Sequence, residues 1–153
     1  MKISKLMTKD VMTCRTSDTL DHAAQLMWDH DIRCVPVVDE RGRIAGMLTD
    51  RDVCMAAYTR GAPLRAIAVG ATMSAHPATC TQDAELSVVE AEMGRRQIHR
   101  MPVVDDDGHP VGIVSLNDIA RASQQRTEVS PSEVAATLAA VCAPRPAILA
   151  AAS

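Results

Sequence analysis

Residues 32–54 read IRCVPVVDERGRIAGMLTDRDVC, and residues 98–120 read IHRMPVVDDDGHPVGIVSLNDIA. The second stretch repeats the first at an offset of 66, the difference between 98 and 32. No gap is needed to carry that offset outward. Met7 falls on Met73, Cys14 on Cys80, Leu20 on Leu86, Met27 on Met93, Pro36 on Pro102, Gly42 on Gly108, Gly46 on Gly112 and Asp52 on Asp118. The chain is a tandem repeat, which settles the architecture before any local reading. A unit of about 50 residues buries too little surface to hold a core of its own, so two units are expected to pack about a pseudo-two-fold axis as one α/β domain. Any site that one repeat builds should occur twice.

Periodicity sketches each unit. Leu20, Ala23, Ala24, Met27 and Trp28 keep a helical stripe, and the apolar run Cys34 to Val38 is a strand. Asp39 to Arg43, with Gly42 inside it, turns the chain back into a partner strand over Arg43–Leu48. A helix then runs from Thr49 to about Thr59. The second unit copies this with a helix over Leu86–Arg96, strands over Met101–Val104 and Val111–Val114 about the turn Asp105–Pro110, and a helix from Ser115 to about Ser123. Leading strands at Thr13–Arg15 and Thr79–Thr81 complete a β-α-β-β-α unit. Gly61, Ala62 and Pro63 punctuate the join. The divisions expected are residues 1–62 for the first repeat with its lead-in, 63–123 for linker and second repeat, and 124–153 for a tail. In that tail Ser130, Pro131 and Glu133 form a helix start ahead of Val134, Leu138 and Val141. The tail helix can pack on its own domain or serve a partner, and both readings stand.

Composition narrows the function. The 153 residues are 47% apolar, with 16 basic against 19 acidic residues and a net charge of −3. The basic residues are scattered, and Trp28 and Tyr58 are the only aromatics, so neither a nucleic-acid footprint nor a base-stacking platform is expected. Nothing approaches about eighteen consecutive apolar residues, and no signal-peptide core follows Lys2 and Lys5. A cytoplasmic protein without membrane contact is expected. Cys14, Cys34, Cys54, Cys80 and Cys142 form no C-x-x-C pair, and their odd number fits a reducing compartment. No metal ligand set is expected from their spacing. A minority reading has Cys14 and Cys80 meet across the pseudo-axis near His22, His30 or His76 and hold a metal. No catalytic triad, phosphate loop or other catalytic motif appears, so the chain is not expected to be an enzyme.

Both repeats place G-x-x-[ST]-x-x-D where a strand passes into a helix: Gly46, Thr49 and Asp52, then Gly112, Ser115 and Asp118. A hydroxyl followed three residues later by an acid is an ordinary helix cap. The same geometry presents backbone N–H groups to an anion, and the carboxylate can accept the hydroxyls of a ribose. Cap and site are both open readings.

The duplicated Pro-Val-Val-Asp strand, the hairpin and this G-x-x-[ST]-x-x-D motif together resemble a tandem pair of cystathionine-β-synthase (CBS) domains, the Bateman module, over residues 1 to about 123. Met47 to Asp52 and the Cys-Ala-Pro near the C-terminus are similar to stand-alone bacterial members of the hypoxic-response type. The resemblance implies a regulatory sensor that binds AMP, ADP, ATP, NAD or S-adenosylmethionine in clefts between repeats, needs no cofactor, and acts on an effector protein the sequence does not name. It places Thr49 with Asp52 and Ser115 with Asp118 on ribose, and His99 and Arg100 on phosphate. Arg33 stands at the position equivalent to His99. The lead-ins Thr8 to Cys14 and Ser74 to Cys80 would contact the base. His99 and Arg100 can equally be a solvated strand edge. The alternative is a structural or redox/metal-responsive interaction module without nucleotide binding. An isologous homodimer is expected, formed by apolar helix faces carrying Met27 or Val88 with Val89.

Overall fold

The computed structural model describes residues 1–125 and 128–144. The strands are β1 (Cys14–Arg15), β2 (Cys34–Val38), β3 (Ile44–Thr49), β4 (Ser74–Ala75), β5 (Cys80–Thr81), β6 (Arg100–Val104) and β7 (Pro110–Ser115). The helices are α1 (Leu20–Asp29), α2 (Asp50–Arg60), α3 (Leu86–Arg96), α4 (Leu116–Gln125) and α5 (Pro131–Val141). One sheet has the order β1-β2-β3-β4 and the other β5-β6-β7. In each, a two-residue leading strand runs parallel to the first hairpin strand. The α/β class and the two β-α-β-β-α units are as the sequence indicates, with boundaries moved by a residue. Thr49 sits outside α2 as its cap, and β3 and β7 each run one residue further than Leu48 and Val114.

The offset of 66 extends to backbone detail. Register slips between Val37 and Val38 in β2 and between Val103 and Val104 in β6. Positive φ recurs at Asp10 and His76, at Asp31 and Gln97, and at Gly42 and Gly108. A non-glycine residue in that region is uncommon, so matched occurrences mean that each repeat needs the same bends.

The two cores do not divide where the repeats do. Ile3 and Met7 lie in the core of the second repeat with Leu86, Val89, Met93, Met101, Val103 and Ile119. Ile67 and Val69 lie in the first core with Leu20, Met27, Val35, Leu48 and Val53, and Met73 packs against it. The Ile3 N–H donates to the Ala84 carbonyl (3.0 Å) and that of Leu86 to Met1 (2.8 Å), mirrored by Val69 to Asp18 (2.8 Å) and Leu20 to Ile67 (2.9 Å). Thr8 bridges Ile113 beside β7, as Ser74 pairs Met47 in the other sheet. Each sheet is thus closed by a lead-in, and Gly46 and Gly112 make room for it. A Cβ on Gly46 would stand 2.9 Å from the Ser74 carbonyl oxygen, and one on Gly112 2.8 Å from the Met7 sulfur.

The hairpin turns meet across the pseudo-axis. The Ile44 N–H donates to the Gly108 carbonyl (2.9 Å), and His109 Nε2 lies 3.2 Å from the Arg41 carbonyl oxygen. Pro110, equivalent to Ile44, has no N–H with which to return the first bond.

Two expectations need correction. Met27 and Val89 are not surplus faces, being 6% and 2% exposed inside the cores. Their spacing with Leu20 and Leu86 turns them inward, while Trp28 and Val88, one residue off, stand outside. In the tail, Val141 is buried but Leu138 is half exposed. Docked on α3 and α4, α5 turns Val134, Thr137 and Val141 inward.

Candidate functional site

Each strand-to-helix passage is a closed capping box. Asp52 Oδ2 accepts from the Thr49 N–H (2.8 Å) and hydroxyl (2.7 Å), and the Asp52 N–H donates back to Thr49 Oγ1 (3.2 Å). Asp118 Oδ2 accepts from the Ser115 N–H (2.9 Å) and hydroxyl (2.5 Å), with the return bond at 3.3 Å. The residue before each strand joins in, since the Asp50 N–H donates to the Arg33 carbonyl (3.0 Å) and that of Leu116 to His99 (3.1 Å). The cap reading therefore holds for both motifs. It uses one oxygen of each carboxylate and leaves the other as the chemically variable one.

At that oxygen the repeats part. Asp118 Oδ1 accepts from the Arg121 guanidinium, and the carboxylate is 6% exposed against 67% for the arginine side chain. Repeat one has Met55 at the equivalent place, and among the described residues no side chain claims Asp52 Oδ1. Asp50 and Asp52 put two acids in the first turn of α2, whereas α4 has only Asp118. A bare diol suits the first box. An anion there needs added positive charge.

Arg100 can supply it. It begins β6 in register with Ser115, and its charge acts on the Cys34 thiol, which is in register with Thr49. Arg100 is half-buried at the start of β6, while His99 and Arg33 are exposed. Burial pushes the Cys34 thiol up, and the nearby guanidinium only partly opposes this.

The lead-in residues are placed differently. The N–H and C=O of Thr8 are both spent on Ile113 (2.9 and 3.0 Å), and Ser74 is an exposed edge residue of β4. Cys14 and Cys80 do not share a core: they lie on the outer strands of different sheets. Burial holds both thiols at about 11, with Asp18 adding to the effect on Cys14. Among the described residues the structure gathers Cys14 instead with Asp18 and His22, a C-x-x-x-D-x-x-x-H spacing that a search for C-x-x-C pairs passes over. Neither His30 nor His76 joins them.

No described helix is long and apolar enough to cross a membrane. The CBS domain family model matches residues 3–58 and 66–125. The chain is 34% identical over 122 residues to the CBS domain-containing protein YhcV of Bacillus subtilis, covering 77% of this chain and 82% of that one. It matches L-aspartate semialdehyde sulfurtransferase of Methanocaldococcus jannaschii at 29% identity, but spans only 22% of that protein. Among solved structures, the CBS domain pair of protein MJ0100, in complex with 5′-methylthioadenosine and S-adenosyl-L-methionine, superposes with a TM-score of 0.74 at 26% identity, covering 82% of this chain and 97% of that one. Hypoxic Response Protein I, crystallised with two coordinated zinc ions, gives 0.72 at 30% identity over 79% of this chain and 98% of its own. With both repeats matched in sequence and in fold, the chain belongs to the CBS domain family as a tandem pair.

Proposed function

We propose that the chain is a regulatory sensor, not an enzyme, that binds an adenosine-containing ligand such as AMP, ADP or ATP between its repeats and acts in the cytoplasm as a homodimer on an effector protein. The observation that carries this reading is the pair of capping boxes, each anchoring an acid through one oxygen, with Arg100 in register beside the second. An anchored carboxylate is preorganised to accept a ribose diol, and a guanidinium can grip phosphate oxygens bidentately. The adenosine ligands of the MJ0100 pair fit the same chemistry, and five free cysteines suit a reducing compartment. NAD and S-adenosylmethionine share the ribose and remain within the class.

The first box is the stronger ribose acceptor, because a diol at Asp118 must displace Arg121. Calorimetry with AMP and with adenosine tests this. Asp52→Asn keeps an acceptor for the cap while removing the charge, and it should weaken both ligands roughly tenfold or more. Asp118→Asn should cost less. Arg100→Ala should weaken AMP by roughly ten- to a hundredfold and leave adenosine nearly unchanged. Wild-type affinity for both ligands in Asp52→Asn would reduce the motif to a helix cap.

A further inference from the structure

We propose that Cys14, Asp18 and His22 form a zinc site, one per chain, confined to the first repeat. The Cys14 sulfur, an Asp18 oxygen and an imidazole nitrogen of His22 lie within 4.8 Å of one another, and His22 Nε2 is 3.9 Å from Asp18 Oδ2. A tetrahedral zinc with bonds of about 2.0–2.3 Å sets its ligands about 3.3–3.8 Å apart. Only a small inward movement is needed, and His22, with a 59% exposed side chain, is free to make it. Asp18 is already oriented, since its Oδ2 accepts from the Arg15 N–H at 2.7 Å, the kind of outer support that holds a metal ligand in place.

The donor set comes from three successive local elements: Cys14 on β1, Asp18 in the turn after it and His22 in the first turns of α1. Thiolate, imidazole and carboxylate together favour zinc over the hard cations magnesium and calcium. Binding would release the thiol proton to solvent. Asp18 and His22 line an open cleft of about 470 Å³ whose other polar walls are Thr13, Arg15, Asp39 and Glu40. A fourth ligand, water or an exogenous donor, can enter from there.

The duplication supplies an internal control. The positions equivalent to Cys14, Asp18 and His22 in the second repeat are Cys80, Ala84 and Val88, and these three residues line a cleft that overlaps the first one's position but runs on along α3. The fold is therefore built there with alanine and valine. It does not require the acid or the imidazole, so the donor set belongs to the first repeat alone.

The test uses the full chain, untagged and stripped with chelator, then given Zn²⁺ alone, with Co²⁺ as a spectroscopic stand-in. Wild type should retain one zinc after desalting and show thiolate-to-cobalt charge-transfer absorption. Replacing the pair by its repeat-two counterparts, Asp18→Ala with His22→Val, should weaken zinc binding at least ~100-fold, more than loss of an outer-shell partner costs. Should that double variant be loosened in structure, His22→Val alone, at an exposed position, should show the same loss. Cys80→Ser and Asp52→Asn should keep full zinc content, which separates this site from the nucleotide cleft. Substoichiometric zinc in wild type, zinc retained by the His22→Val variants, or a cobalt spectrum without the thiolate band would overturn the assignment.

Discussion

The helical layers of the two repeats share one fold and meet different surroundings. On α1 and α2 of the first repeat, Trp28 is 84% exposed, Tyr58 82% and Met55 45%. Their equivalents in the second repeat are Gly94, Gln124 and Arg121, and there α5 lies against α3 and α4. A Cβ on Gly94 would come within 3.0 Å of the Ala140 Cβ, so the residue opposite the tryptophan is the one that lets α5 approach. Thr137 donates to Glu90 (3.0 Å), and Gln97 donates to the Ala143 carbonyl (2.5 Å). Val129 and Val141 complete the second core. The tail serves the second repeat as an intramolecular cover, and the first repeat keeps its apolar face open. A homodimer consistent with this asymmetry is isologous through α1 and α2.

Removing residues 128–153 should have the largest effect. Two buried valines contribute about 3–6 kcal/mol at most, so the melting temperature should fall by up to roughly 20 °C. Calorimetry that finds an unchanged transition would mean that α5 is an ornament on a self-sufficient pair.

Next in size is the open face. Buried aromatic anchors at an interface are worth about 2 kcal/mol or more each, and Trp28→Glu with Tyr58→Glu should weaken self-association at least ~100-fold. Sedimentation of the variant and wild type at equal concentration reads this directly. A wild-type monomer, or a variant dimer of undiminished strength, would break the link between exposure and assembly.

The smallest effect sharpens the covered side. Burial under α5 raises the Glu90 carboxyl above its ordinary 4.5, with Glu133 adding to burial and the Thr137 hydrogen bond opposing it. A carboxyl with a raised folded-state value favours the folded state only when protonated, so its penalty is in force at neutral pH. The penalty fades as pH falls through the raised value and then through 4.5. Glu90→Gln keeps the acceptor for Thr137 and should stabilise the chain at pH 7 by less than about 1 kcal/mol. That gain should vanish below about pH 4. A gain of constant size across this range would assign it to packing instead of charge.

Much of this molecule could be read directly. The hairpins followed from Asp39 with Gly42 and Asp105 with Gly108. The helix starts followed from Thr49 with Asp52 and Ser115 with Asp118. The exchange of lead-ins was hidden because β1, β4 and β5 are two residues long, too short for any periodicity to register. The apolar stripe on α1 runs from Leu20 to Trp28 in sequence, but only Leu20, Ala23 and Met27 are buried and Trp28 is exposed, since 3.6 residues per turn leaves the flank of a helical face ambiguous. The candidate ribose acids were legible as residues, but the difference between them was not. Arg121 and Met55 lie outside the motif, and only the helix places one of them on a carboxylate. Cys14, Asp18 and His22 escaped for a related reason: a strand, a turn and a helix must all form before the three donors meet.

The crossed lead-ins carry a consequence for dissection. A chain cut near residue 62 does not fall into two half-proteins. The N-terminal piece carries Ile3 and Met7 with no core of its own to receive them and lacks Ile67 and Val69, while the C-terminal piece has the reverse surplus and deficit. Such fragments are complements, each holding the other's missing part. By the same reasoning, each repeat is closed by the lead-in that precedes the other, so either one taken alone would offer a second copy the same vacancy that its sister fills here.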